Sequence, residues 1–146
     1  RTIHEIVQLN ESAVVVAINI SSIELQKKFS TRFQNELRGA DEMWIFSENS
    51  DSQFFLVLQP YTTEEGANEF FNRTEISKLP LVESFYHGLD RKASTYCNGE
   101  VSTYMWVLNK ETSREKILLE IYQFCKKGFI DNKTRVDSYA SNSNII

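Results

Sequence analysis

Apolar residues follow three different rhythms along this chain, and each rhythm predicts a different element. Residues 13–20 (AVVVAINI) are β-branched and almost unbroken in apolar character, as suits a strand buried on both faces. Leu25, Phe29, Phe33 and Leu37 then recur at four-residue steps, a single stripe along one helix face. Ser21 and Glu24 have capping-box spacing, in which hydroxyl and carboxylate each satisfy an orphan backbone N–H. Gly39 is expected to stop this helix in the left-handed conformation. Residues 42–47 (EMWIFS) and 53–59 (QFFLVLQ) are rich in aromatic and branched side chains and flank a polar turn, which predicts a hairpin. Pro60 removes a ladder donor and closes the second of these strands.

Further along, Thr62 or Thr63 can cap a helix with Glu64 and Glu65 in its first turn and Ala67, Phe70 and Phe71 inward. That helix should break near Lys78-Leu79-Pro80, because the residue before proline disfavours helical angles. Residues 81–86 fit either another helical turn or a loop. Residues 92–97 and 101–108 predict two strands around Asn98-Gly99, a pair that accepts the positive φ of a tight hairpin. A last helix, capped by Thr112 or Ser113 and ended by Gly128, carries Ile117, Ile121, Phe124 and Cys125 on one side. Residues 3–9 suit a short first strand, and 137–146 read as a polar tail behind one domain spanning 1–136.

This order predicts an α+β domain of the ferredoxin-like split βαβ type, β-α-β-β-α-β, with an extra hairpin strand and a C-terminal helix. Its sheet would carry two helices on one face, and the strand from Val14 would lie beside that from Phe54. A rival architecture, an eight-stranded barrel followed by a helix, rests on residues 104–108 (YMWVL) and the helix after them, which resemble a lipocalin tail. The helix from Ser21 argues against it.

Composition narrows the functional classes. At 146 residues the chain suits a single domain, and 41% hydrophobic content with 5 Gly and 2 Pro excludes fibrous and disordered classes. Net charge is −4, so a strongly basic nucleic-acid binder is disfavoured. The longest uncharged apolar run, 13–18, is far too short for a membrane span.

Candidate chemistry is sparse. His4 and His87 have no second histidine at ligand spacing, so neither a metal nor a cofactor is expected. His87, in Phe85-Tyr86-His87-Gly88, could line a pocket. The isolated glycines form neither a GxGxxG nor a Walker loop. Asp41, Glu42, Glu64 and Glu65 read as solvated charges, and Lys27, Lys28, Arg32 and Arg38 as the basic surface of the first helix. Cys97 and Cys125 are each buried thiols or, together, one disulfide tying the last helix to the sheet.

With no catalytic constellation, the chain reads as a non-enzymatic binding or protein-interaction module that uses its sheet. Alternation puts Trp44 and Phe46 on one face and Tyr104 and Trp106 on one face; with Tyr86 and His87 these are the candidate interface or ligand-binding residues. Residues 52–71 (SQFFLVLQPYTTEEGANEFF) resemble the third strand and second helix of RNA-recognition motifs, which implies a nucleic-acid-binding alternative. The same stretch resembles dimeric α+β barrel proteins, which implies a homodimeric enzyme or small-ligand binder with Tyr86, His87 and Trp106 around its cavity. Sequons at Asn10, Asn72 and Asn132, with a further one at Asn19, suggest glycosylation. They and the disulfide point to a secreted or extracellular domain, with the cytoplasm as the alternative, and the architecture resembles SEA domains. The partner expected is a protein or a small ligand, with nucleic acid disfavoured.

Overall fold

A computed structural model describes residues 12–49, 52–86, 91–108 and 114–127. Along the chain run β1 (Ala13–Ile20), α1 (Ile23–Asn35), β2 (Glu42–Asn49), β3 (Ser52–Pro60) and α2 (Glu64–Arg73). They are followed by β4 (Leu81–Tyr86), β5 (Arg91–Tyr96), β6 (Val101–Leu108) and α3 (Arg114–Lys127). The six strands form one antiparallel sheet in the order β2-β3-β1-β6-β5-β4. The fold is therefore mixed α+β. The proposed strand at 3–9, the caps Thr112 and Ser113, the stop Gly128 and the tail at 137–146 lie outside the described residues.

β1 sits at the centre, and all eight of its residues are buried. It pairs with β3 from Ala13↔Pro60 to Ile20↔Gln53, and with β6 from Ala13↔Leu108 to Ile20↔Val101. Its unbroken apolar run is needed because both of its faces are covered. Val14, Val16, Ile18 and Ile20 join Phe29 and Phe33 of α1 and Ala67 and Phe70 of α2 in one core. Ala13, Val15 and Ala17 face the other way, with Phe54, Leu56, Tyr104, Trp106 and Ile117 and Ile121 of α3.

Helices thus lie on both faces of the sheet rather than on one. The Ile117/Ile121 stripe of α3 needs an apolar counterpart, and Trp106 and Leu108 supply it. Two strands, not one, extend the sheet, because Leu81–Tyr86 pairs with β5 instead of forming a helical turn or a loop. Edge position explains why its pattern was ambiguous: a strand with one partner and exposed side chains has no buried face to enforce alternation.

Local signals were met with small displacements. Ser22, not Ser21, caps α1, its side chain accepting from the Leu25 N–H at 3.3 Å. Ser21 is drawn instead to the turn before β6, its N–H donating to the Glu100 carbonyl at 2.9 Å. Thr63 caps α2 by accepting from Gly66 N–H at 3.3 Å. α1 ends at Asn35, before Gly39, and Gly39 does not adopt a left-handed φ. The β5–β6 turn does require it: Cys97, Asn98 and Gly99 have φ of 53°, 56° and 91°.

Candidate functional site

Between the end of α1 and the start of β2 the chain closes on itself through Arg38 and Asp41. Asp41 N–H donates to the Arg38 carbonyl at 3.0 Å, and Arg38 N–H donates to Asp41 Oδ2 at 2.8 Å. The Arg38 side chain then folds over the same carboxylate, with Nε at 3.0 Å and Nη2 at 2.7 Å from Oδ1. Nη2 also donates to the Pro60 carbonyl at 2.9 Å, tying the loop to the end of β3. Gln59 Nε2 completes the set, 3.3 Å from Asp41 Oδ2.

Burial separates this pair from three other ion pairs among the described residues. The Asp41 side chain is 0% exposed while that of Arg38 is 40% exposed. In the ion pairs Arg32–Glu75, Arg73–Glu36 and Lys78–Glu75 both partners reach solvent. A buried carboxylate gripping a half-exposed guanidinium holds a planar cation at the surface in one orientation, which lowers the entropy lost when it engages an anion. Two further features lie alongside. Gln59 Oε1 is buried without a hydrogen-bond partner among the protein atoms. Tyr61, next to the Pro60 carbonyl that Arg38 grips, has φ 57° and is 55% exposed. With Nε and Nη2 engaged by Asp41 and Pro60, the oriented Nη1 is left to donate a charge-assisted hydrogen bond to an anionic phosphate oxygen or to the O6 acceptor of guanine.

The sequence pattern missed this cluster. Asp41 was expected to be a solvated charge, and it is buried; Arg38 was expected on the helical basic surface, and it lies beyond the helix. Glu64 and Glu65 do fall in the first turn of α2. Arg32 remains on α1 and pairs with Glu75, whose carboxyl is held below the usual range chiefly by its hydrogen bond from Arg32.

The aromatic candidates are partly united. Register places Trp44 opposite Leu56 and Phe46 opposite Phe54, so both share a sheet face with Tyr104 and Trp106. Trp44 and Phe46 are 40% and 36% exposed on the edge strand. Tyr104 and Trp106 stack at 5.9 Å and are buried in the core that α3 completes, where Trp106 Nε1 donates to Glu120 Oε2 at 2.8 Å. His87 and the side chain of Tyr86 lie outside the described residues, as do His4, Asn10, Asn132 and the side chain of Cys125. Asn72 is exposed on α2, its Oδ1 accepting from Ser77 Oγ at 2.9 Å. Asn19 is buried in β1.

Of the two alternatives for the cysteines, the disulfide is not formed, since Cys97 is a free thiol. The turn geometry at positive φ places it at the sheet end. Burial, and then the nearby Glu100, push its thiol above the ordinary range, against an opposing pull from Lys28. A raised thiol pKa keeps the unreactive protonated form at neutral pH. Alkylation of Cys97, followed by peptide mass mapping, is therefore expected to be slower at pH 7 than for an unperturbed thiol. Its rate should climb as pH passes above the usual thiol range. Full protection until reduction would contradict the free thiol.

Comparison with known proteins adds what geometry alone does not. The PelD GGDEF domain family matches residues 2–118. Among solved structures, PelD 158-CT from Pseudomonas aeruginosa PAO1 is similar in fold, with TM-score 0.57 and 16% identity over 80% of this chain and 38% of that one. The same PelD in complex with c-di-GMP (form 1) gives TM-score 0.57 and 16% identity over 83% of this chain and 39% of that one. Apo PelD 156-455 from Pseudomonas aeruginosa PA14 gives TM-score 0.55 and 18% identity over 83% and 40%. The chain thus spans about two-fifths of the length of those PelD structures. No curated protein matches it. The family match overturns the expectation of an extracellular protein-interaction module, and with it the expectation of a secreted glycoprotein.

Proposed function

The chain belongs to the PelD GGDEF domain family, and we propose that it is a regulatory domain that binds c-di-GMP through the cluster around Arg38 and Asp41. This keeps the small-ligand alternative of the sequence reading and gives the ligand a chemical class. The observation that carries it is the oriented, half-exposed guanidinium on a fully buried carboxylate. A cyclic guanine dinucleotide offers phosphate oxygens and guanine O6 acceptors, either of which the oriented Nη1 of Arg38 can engage. The c-di-GMP complex of the similar PelD structure supports the same ligand.

Binding without catalysis is the reading that fits the residues. The letters of the family name spell Gly-Gly-Asp-Glu-Phe, and this sequence has no two adjacent glycines. We also infer that β1, α1, β2, β3, α2 and β6 form a ferredoxin-like split βαβ core into which the β4–β5 hairpin is inserted. The order β2-β3-β1-β6 supports that arrangement.

Isothermal titration with c-di-GMP tests the function. Saturable binding at micromolar concentration or tighter is expected, with c-di-AMP at least about tenfold weaker because adenine lacks the O6 acceptor. Equal affinity for the two dinucleotides, or no heat at high micromolar ligand, would overturn the assignment.

A further inference from the structure

At the other end of the sheet the helices leave a gap. α1 and α2 cover β3, β1 and β6, whereas the β5 and β4 extension reaches past α2. Between that extension and α2 lies a cavity of about 220 Å³. Its floor is made by Thr103 and Met105 of β6 and by Lys92, Ser94 and Tyr96 of β5; Leu81 and Ser84 of β4 form the rim, and Asn68 and Phe71 of α2 the wall. The register places these side chains together: Ser94 is opposite Thr103, Lys92 opposite Met105, and Ser84 opposite Ser94.

Among the described residues the lining is rich in donors and contains no carboxylate. Ser84 Oγ and Ser94 Oγ are 3.1 Å apart, and Tyr96 lines the same cavity, which puts three hydroxyls across the two outer strands. The Tyr96 phenol is protonated at neutral pH and can donate, and burial pushes its pKa further up. Lys92 adds one positive charge, and Asn68 adds an amide. Interspersed with them, Phe71, Leu81 and Met105 add apolar surface. One cation matches one negative charge. Phosphate-binding sites characteristically add an Arg fork or a helix N-terminus, and neither is among the lining residues.

We propose that this cavity is a second binding site, which takes a small organic carboxylate with a flat or short apolar body. Its volume is below the roughly 300–1,000 Å³ of drug-sized pockets, so a dinucleotide is too large for it. The site is separate from Arg38: β3 and β5 are three strand spacings apart, roughly 14 Å. It therefore stands whether or not c-di-GMP binds the first cluster.

Benzoate is the probe, followed by amide chemical-shift mapping on the full 146-residue chain. Saturable shifts are expected at Lys92–Tyr96 and Thr103–Met105, with half-saturation at millimolar benzoate or below and none with the isosteric neutral benzamide. Lys92→Met should weaken benzoate at least tenfold, and Asn68→Leu, which fills the cavity from the helix side, should do the same if Lys92→Met fails to fold. Equal shifts by benzamide, tighter binding of inorganic phosphate at the same amides, or no shift from benzoate, acetate and butyrate alike would overturn the proposal.

Discussion

Replacing Phe33 with alanine is expected to cost about 3–5 kcal/mol of folding stability, the range for large aromatic truncations in a closed core. Phe33 is fully buried and sits where three elements meet. Its ring packs edge-on to Phe55 of β3 at 4.9 Å, stacks on Phe29 of α1 at 5.7 Å and meets Phe70 of α2 at 6.0 Å. Deleting it removes partners from both helices and from the sheet, and three stiff rings cannot collapse into the space without leaving their rotamers. Denaturant unfolding reads the effect as a lower midpoint at unchanged slope. A loss below about 1 kcal/mol would mean that the α1 stripe does not face the sheet.

Arg38→Lys is expected to weaken c-di-GMP at least tenfold while leaving the fold intact. Lysine keeps the positive charge beside the buried Asp41, so the carboxylate is not stranded without a counter-charge. What it loses is the fork: Nε and Nη2 together hold Oδ1, and Nη2 also reaches the Pro60 carbonyl. A compact ammonium cannot make those contacts and also aim a further N–H at a phosphate or guanine oxygen, as Nη1 does. Titration of the variant beside the parent protein, with circular dichroism to establish folding, gives the answer. Affinity within about twofold of the parent would show that the cation acts only as a point charge, or that the ligand sits elsewhere.

Much of the scaffold could be read from residue pattern, because patterns record burial. The β1 run and the Leu25-Phe29-Phe33 stripe are both consequences of facing a core, and both were legible. The β4 strand was not, since an exposed edge leaves little trace in the alternation. The side of the sheet on which α3 lies was equally hidden: Ile117 and Ile121 reveal an apolar helix face, not the sheet face that receives it. The Arg38 cluster was hidden for another reason. Its only local trace is Arg-Gly-Ala-Asp between a helix and a strand, a spacing that turns also produce. What turns it into a site is the arrival of Gln59 and Pro60 from β3, a tertiary fact that reading four residues cannot supply.

The central position of β1 has a consequence for how the chain is made. One of its two partners, β6, ends at Leu108, whereas β1 itself is complete at Ile20. Contacts this distant in sequence slow folding, because loop closure must precede the reward of pairing. At ordinary rates of synthesis, roughly 5–20 residues per second, β1 emerges on the order of ten seconds before β6 exists. During that interval a β-branched, uncharged strand has at least one edge unsatisfied, and both until β3 is made, the circumstance in which strands from neighbouring nascent chains pair with each other. Yield in the cell should therefore depend on chaperone shielding of residues 13–20 more than on the equilibrium stability of the finished domain.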